Sequence, residues 1–265
     1  MSAITDIEDA FAAQWSVFGR WPKGELRDKR GILWFETPIA HLPYNGVIRT
    51  RIDGEADAAI DDVIRGFRER GVEFFWLVHP SAQPADLGER LEAAGVPAVE
   101  TATGMSLELE SWKPAPLPPA VTYREVLDED DLLAYHRLTV LYWELPEADA
   151  AAVEELQRAL APGRTPGHRY LALVDEVAMG KGYLSLAGPP GVASLYGMSV
   201  LPEARGRGVA GGLTTVLLGR ARDAGCSRAV LHSSEMAVGV YRRAGFVKHC
   251  RLPFHATTAV WSDER

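Results

Sequence analysis

The chain has 265 residues, of which 47% are hydrophobic and 24% charged, and a formal net charge of −8. These are the proportions of an ordinary globular protein of one large or two medium domains, long enough to bury a core without metals or disulfides. The acidic balance gives no global electrostatic case for nucleic acid or an anionic membrane, two cysteines (Cys226 and Cys250) cannot build a disulfide framework or a four-thiolate zinc site, and no apolar run reaches the ~18 residues of a membrane span.

The start, MSAITDIEDAFAAQW, is acidic and amphipathic, unlike a signal or transit peptide, so the cytoplasm is the expected compartment. Residues Ile4–Trp15 carry helical spacing. Gly31–Phe35 and Gly46–Ile52 read as strands, and Ala56–Arg70 as a helix ended by Gly71. Phe74–Val78 is a dense apolar run bounded by Pro80, a buried strand. Pro84–Ala94 reads as a helix ended by Gly95, and Met105–Leu109 as an alternating strand. Four prolines between Pro114 and Pro119 then favour extended backbone and forbid a continuing helix. This places a seam at residues 113–120, between an N-terminal domain over 1–112 and a C-terminal domain over 121–265.

The second piece reads as a strand at Val121–Val126, then helices at Glu129–Trp143 and Pro146–Leu160. Strands follow at Tyr170–Val174, Ala178–Leu186 and Ala193–Leu201, with a helix at Val209–Ala224 ended by Gly225. A short strand at Ala229–Leu231, a helix at Val238–Ala244 and a hairpin over Phe246–Val260 complete it. The alternation predicts an α/β (α+β) fold with a mixed central sheet flanked by helices. One internal echo links the pieces: Leu91-Glu-Ala-Ala-Gly95-Val96 resembles Tyr241-Arg-Arg-Ala-Gly245-Phe246. The similarity suggests either a duplicated unit or two unrelated helix-Gly-strand junctions.

Chemistry concentrates where a strand ends at Leu201-Pro202 and a turn carrying Arg205, Gly206, Arg207 and Gly208 opens a helix at Val209. Glycines admit close backbone approach, and the first helical N–H groups lack internal partners and carry the positive end of the helix dipole. With two guanidiniums alongside, the turn suits a phosphate or pyrophosphate. The run Gly206-Arg-Gly208-Val-Ala-Gly211, with Glu235 further on, also satisfies the dinucleotide fingerprint and raises an NAD(P)-dependent oxidoreductase as an alternative. Against it, Pro202–Arg205 separate the glycines from their strand, and the unit follows several strands instead of opening a domain. No P-loop sequence occurs.

The run Val200-x-Pro202-x-x-Arg205-Gly206-x-Gly208-x-Ala210 resembles the acyl-CoA signature of the GNAT superfamily of N-acyltransferases, whose core is Arg/Gln-x-x-Gly-x-Gly/Ala. Tyr241-Arg-Arg-Ala-Gly245-Phe246 resembles the family's second signature, in the expected order and spacing. The resemblance covers about residues 120–262, and the N-terminal piece resembles the degenerate partner domain of tandem GNAT proteins. It implies that amides from Arg205 to Gly211 (including Val209 and Ala210) cradle the pyrophosphate of acetyl-CoA. It implies that Met198, Ser199 and Val200 pair with the pantetheine arm, one of their amides polarising the thioester carbonyl. Tyr241 would donate a proton to the departing thiolate. The base that relieves the acceptor amine of its proton often stands, in relatives, where Ser194 or Tyr196 stands here. Neither is a good base at neutral pH, so Glu144, His232, Glu235 or a water relay also come into question. Strand alternation places Ser194, Tyr196, Met198 and Val200 on one face.

The expected reaction is direct acetyl transfer in a ternary complex to a primary amine of a small molecule or peptide. No metal, nucleic acid or membrane is expected to take part, and the protein is expected to be a monomer or homodimer. The alternatives are a non-catalytic acyl-CoA-binding module and a GNAT-fold enzyme with other acyl-CoA chemistry.

Overall fold

The computed structural model describes residues 2–160 and 165–258. The elements, in chain order, are α1 (Ala3–Gly19), β1 (Glu25–Lys29), β2 (Ile32–Glu36), β3 (Gly46–Thr50), α2 (Ala56–Arg70), β4 (Phe75–Leu77), α3 (Leu87–Ala93) and β5 (Ala98–Glu108). After the proline-rich stretch come β6 (Val121–Glu125), α4 (Glu129–Trp143), α5 (Glu147–Ala159), β7 (Gly167–Val174), β8 (Val177–Ser185) and β9 (Val192–Val200). A 3₁₀ turn (Pro202–Ala204), α6 (Val209–Asp223), β10 (Arg228–Ser233), α7 (Val238–Ala244) and β11 (Val247–Ala256) follow.

All eleven strands form one sheet in the order β1-β2-β3-β4-β11-β5-β10-β9-β8-β7-β6. Only β3–β4 and β9–β10 are parallel. Each half thus repeats one plan: a three-stranded meander, a helix, a parallel strand, a short helix and a last strand. The last strands cross over: β11 lies between β4 and β5, and β5 lies between β11 and β10. The echo noted in the sequence marks the two short helices, α3 and α7, each followed by a glycine in the left-handed region, Gly95 at φ 77° and Gly245 at φ 106°.

The crossover corrects one expectation. Phe246 onward was predicted as a hairpin, but Val247–Ala256 is a single strand. Its hydrogen-bonding partners come from the other half of the chain, which local sequence cannot reveal. The predicted end of that hairpin, Val260, and the tryptophan beyond it, Trp261, lie outside the described residues. Strand β1 is absent from the predicted elements, because its sequence ELRDK is a charged edge with a single apolar residue, Leu26, to mark the face it packs on the core.

Helices cover both faces. On one face, α2 turns Ile60, Ile64 and Phe67 onto Trp34, Val47 and Trp76, and α6 turns Leu213, Leu217 and Ala221 onto Ala193, Leu195, Ala229 and Leu231. On the other, α1 lays Ile7 and Phe11 across strands of both halves, against Phe35, Phe75, Val192, Val230 and Phe254. Fully burying each such side chain contributes about 1.5–3 kcal/mol. Asp6 of α1 pairs with Arg228 of β10, and Trp21 and Tyr44 pack against Leu145, Val153 and Leu156 of the α4–α5 region. The N-terminal half therefore walls the face on which α4 and α5 lie.

Candidate functional site: an open strand edge beside a helix mouth

β9 and β10 pair from Val192↔Arg228 to Leu195↔Leu231 and then part. β9 runs on to Val200 and β10 to Ser233 without bonding each other, so a wedge opens between them. A bulge shapes the free edge. Tyr196 faces Tyr183 and Ser199 faces Lys181, leaving Gly197 and Met198 opposite the single residue Gly182. Gly197 has φ 58°, a conformation that favours glycine. Further on, the Leu201 N–H donates to Met179 O at 2.8 Å. By alternation the Ser199 amide also serves β8, while those of Met198 and Val200 face the open edge.

The bulge overturns the expected placement of four side chains. Ser194 and Tyr196 share the α1 face with Val192. Met198 and Val200, one residue out of step, pack against the α6 core instead. Tyr196 thus stays with Ser194 on the α1 face, and Met198 and Val200 present only their backbone to the open edge.

At the end of the wedge, Arg205, Gly206, Arg207 and Gly208 are exposed. Gly206 and Gly208 lie at φ 74° and 79°. Gly208 caps α6 without any side-chain hydrogen bond, and the first intrahelical bond is Gly212 N to Gly208 O at 3.0 Å. The amides of Gly206 to Gly211 have no helical acceptor, but the Arg205 N–H, expected to join them, already donates to Pro202 O at 3.1 Å within the 3₁₀ turn, and Arg205 Nε reaches back to Val200 O at 3.4 Å. No acidic residue stands in the first turn. The result is a helix mouth of unpaired N–H groups, with chemistry suited to an anion.

The glycines differ in purpose. A Cβ on Gly208 would lie 2.9 Å from Pro118 Cγ, so the proline-rich seam packs against the mouth. A Cβ on Gly212 would collide with the Tyr123 hydroxyl, whereas one on Gly211 meets nothing within 4 Å. The paired prediction is that Gly211→Ala stabilises the protein by up to about 1 kcal/mol through helix propensity. Gly212→Ala destabilises it by about 1–3 kcal/mol through overpacking. Urea unfolding of both variants checks this, and equal effects would refute it.

Tyr241, on α7, is buried and meets Phe246 edge-on at 5.8 Å. Burial, and secondarily Tyr142 of α4, raise its pKa, so it stays protonated at neutral pH. Across the wedge, on the α1 face, lies a cluster of uncharged polar groups. Tyr196 and His232 are 6.2 Å apart, and the Phe11 ring sits 4.7 Å from His232 and 5.6 Å from His79. Both ring nitrogens of each histidine, the Ser194 and Tyr196 hydroxyls, Gln14 Oε1 and Trp15 Nε1 are buried without a protein partner. Burial lowers both imidazoles to about 3, so they are neutral hydrogen-bonding groups at physiological pH. Buried polar atoms left unpaired in this way invite a ligand or ordered water.

Of the other candidates, Glu144 caps the C-terminus of α4 in the left-handed region at φ 49°, exposed, two residues after Tyr142. Glu235 is exposed in a groove with Thr101, Thr103, Lys248 and Arg251. Sequence reasoning missed Lys181, whose Nζ donates to Gly197 O at 3.2 Å, and the N-terminal contributors Phe11 and His79. The available signal for Lys181 was a lone charge between two glycines in an otherwise uncharged strand, Val177–Ser185.

The N-terminal half holds the counterpart of this wedge, but closed. β3 and β4 pair only at Gly46↔Phe75 and Val47↔Trp76. The edge beyond is occupied by Gln83, which accepts from Ile52 N at 3.0 Å and donates to Thr50 O at 3.1 Å. Asp53, Glu55 and Asp57 stand where the second half has its arginines. Among the described residues, no group of three or more His, Cys, Asp or Glu side chains is placed to hold a metal, and no helix is long and apolar enough to cross a membrane.

Residues 125–246 match the acetyltransferase (GNAT) family. A mycothiol acetyltransferase of Cellulomonas flavigena is 28% identical over 218 residues, 70% of this chain and 63% of that protein. One of Geodermatophilus obscurus is 28% identical over 158 residues, 55% of this chain and 51% of that protein. The chain thus matches less than two-thirds of the length of either curated relative. A GCN5-related N-acetyltransferase from Kribbella flavida superposes with a TM-score of 0.69 at 16% identity, over 94% of this chain and 95% of its own. A tandem GNAT protein from the clavulanic acid biosynthesis pathway does so at 0.62 and 16% identity, over 98% and 96%. At such identity the last two show a shared fold.

Proposed function

We propose, from the premise that the chain belongs through residues 125–246 to the GNAT acetyltransferase family, that it moves an acetyl group from acetyl-CoA to a primary amine. The observation that carries this reading is the open edge of β9 leading directly into the amide-rich mouth of α6. An extended, hydrogen-bonding chain ending in a diphosphate fits that combination. The arm would pair with the Met198 and Val200 backbone, and the diphosphate would take the amides from Gly206 to Gly211, flanked by Arg205 and Arg207. With the Gln83 plug and acidic entry of the N-terminal half, one such site per chain is proposed.

The Met198 amide would polarise the thioester carbonyl as it becomes an oxyanion. The acceptor nitrogen attacks the carbonyl carbon, the carbon–sulfur bond breaks, and Tyr241 supplies a hydrogen bond and proton to the leaving sulfur. The acceptor would enter on the α1–α4 face, between the Tyr196–His232 cluster and Glu144, so that the N-terminal half forms part of its pocket. Glu144 is exposed and carries the carboxylate suited to receive the ammonium proton, directly or through water. The two related mycothiol acetyltransferases support a small-molecule acceptor.

Purified protein with acetyl-CoA and a panel of small amines, followed by thiol release, tests the reading. The expected result is acceptor-dependent release together with thermal stabilisation by acetyl-CoA but not by NAD(P). Stabilisation without release for any amine would favour a binding module, and stabilisation by NAD(P) alone would reject the reading.

A further inference from the structure

Lys181 is the least expected residue at the site. It stands on β8 opposite Ser199 and is 3% exposed. Its Nζ lies 4.8 Å from the Tyr135 ring centroid and donates to the Gly197 carbonyl. A Cβ on Gly197 would lie 3.5 Å from both Lys181 Nζ and Tyr135 Oη, so amine, phenol and bulge peptide converge. No ion pair joins Lys181 to a carboxylate among the described residues. Its charged neighbour is Arg169 of β7, itself buried, occupied by the Gln157 and Leu160 carbonyls at 2.9 and 2.8 Å. The other titratable groups on this face are Tyr135 of α4, Tyr183 of β8 and Tyr196 of β9, raised by burial, and His232 of β10 and His79, lowered by burial, so all of them are neutral at physiological pH.

A buried cation without a carboxylate destabilises a fold, and an apolar residue of similar shape would pack there at lower cost. The compensation is found in the peptide it holds. In a planar trans peptide the C=O and N–H point in opposite directions. An ammonium drawing the Gly197 oxygen toward β8 therefore turns the Met198 N–H away from β8, toward the edge that β10 has left. It also withdraws electrons from the peptide and makes that N–H a stronger donor.

We propose that Lys181 is a positioning residue for the acyl donor: through the Gly197–Met198 peptide it aims and strengthens the Met198 N–H that polarises the thioester carbonyl. This rests on the acetyl-CoA reading above and adds to it a residue outside both sequence signatures. The proton on Lys181 matters. Burial, then Arg169, pull its pKa down to about 7, so the ammonium is present below that pH and lost above it.

The test is isotope-edited infrared spectroscopy of acetyl-CoA carrying ¹³C at the carbonyl, bound to the wild type, Lys181→Met and Lys181→Arg. In the wild type at pH 6 the carbonyl band is expected below its position in free acetyl-CoA, moving back as pH is raised to 8. In K181M it should stay near the free position at both pH values, and in K181R it should stay low at both. K181M should also melt higher than the wild type, hold acetyl-CoA within about threefold of its affinity, and transfer acetyl roughly 10- to 100-fold more slowly. A lysine that only supports the bulge predicts a lower melting temperature and no pH-dependent band. Should K181M fail to fold, the wild-type pH series and K181R decide. Bound acetyl-CoA whose band is the same in wild type and K181M, or insensitive to pH in the wild type, overturns this inference alone. A wild type that does not bind acetyl-CoA overturns the functional reading and this inference together.

Discussion

Gly211→Glu should abolish useful acetyl-CoA binding while leaving the protein folded. The position is in the first turn of α6, its Cβ would enter open space, and its φ is not left-handed. A carboxylate there improves the helix, because an acidic side chain in the first turn complements the dipole. It also places a negative charge at the mouth where the diphosphate would lie. At an effective dielectric of about 20 and a separation near 6 Å, one like-charge pair costs about 3 kcal/mol, on the order of a 100-fold loss of affinity. Calorimetric titration with acetyl-CoA, together with a melting curve, separates the two effects. An unchanged dissociation constant in a folded Gly211→Glu protein would place the diphosphate elsewhere and sink the assignment. Gly208 is a poorer choice, since any side chain there collides with Pro118 and is strained at φ 79°.

Tyr241→Phe should leave acetyl-CoA affinity nearly intact and slow acetyl transfer by about 100-fold or more, the range for loss of a positioned acid. Removing the hydroxyl keeps the ring against Phe246, so α7 should hold its place. The pH dependence follows from the sign of the shift. The Tyr241 pKa is raised by burial, so the phenol remains protonated as pH rises past its ordinary value near 10. Its ionisation therefore produces no alkaline fall in kcat below that pH. A wild-type profile that loses activity near pH 9 and a Tyr241→Phe profile that does not would contradict this environment for Tyr241. A Tyr241→Phe enzyme with normal turnover would remove the residue from the mechanism.

Local chemistry made much of the site legible in advance. Glycines alternating with arginines at Gly206–Gly208 mark a helix mouth because backbone freedom and missing caps are properties of a few consecutive residues. Helix boundaries at Glu129–Trp143 and Val238–Ala244 were legible for the same reason: Asp128 accepts from the Asp131 N–H at one start, and Gly245 turns left-handed at the other end. Tyr241 was singled out by the resemblance of Tyr241-Arg-Arg-Ala-Gly245-Phe246 to a family signature.

Other features escaped because they depend on partners distant in sequence. Lys181 is one such residue: its partner, Gly197, and its neighbours, Tyr135 and Arg169, come from three other elements. His79 and Phe11 belong to the N-terminal half, yet they lie against His232 of the other half. Alternation failed at Met198, since one extra residue on β9 shifts every later side chain to the opposite face.

The sequence by itself determined the α/β alternation, the helix that opens at Val209 and the two short signatures, at Arg205–Ala210 and Tyr241–Phe246, that resemble those of the GNAT superfamily, because periodicity, caps and short signatures are written in neighbouring residues. Only the tertiary structure decided that β5 and β11 exchange places, that the wedge of one half stays open while Gln83 fills the other, and that a buried lysine holds the bulge. Those outcomes are settled by which strands find each other's unpaired N–H and C=O groups across the chain, a pairing that no local stretch encodes.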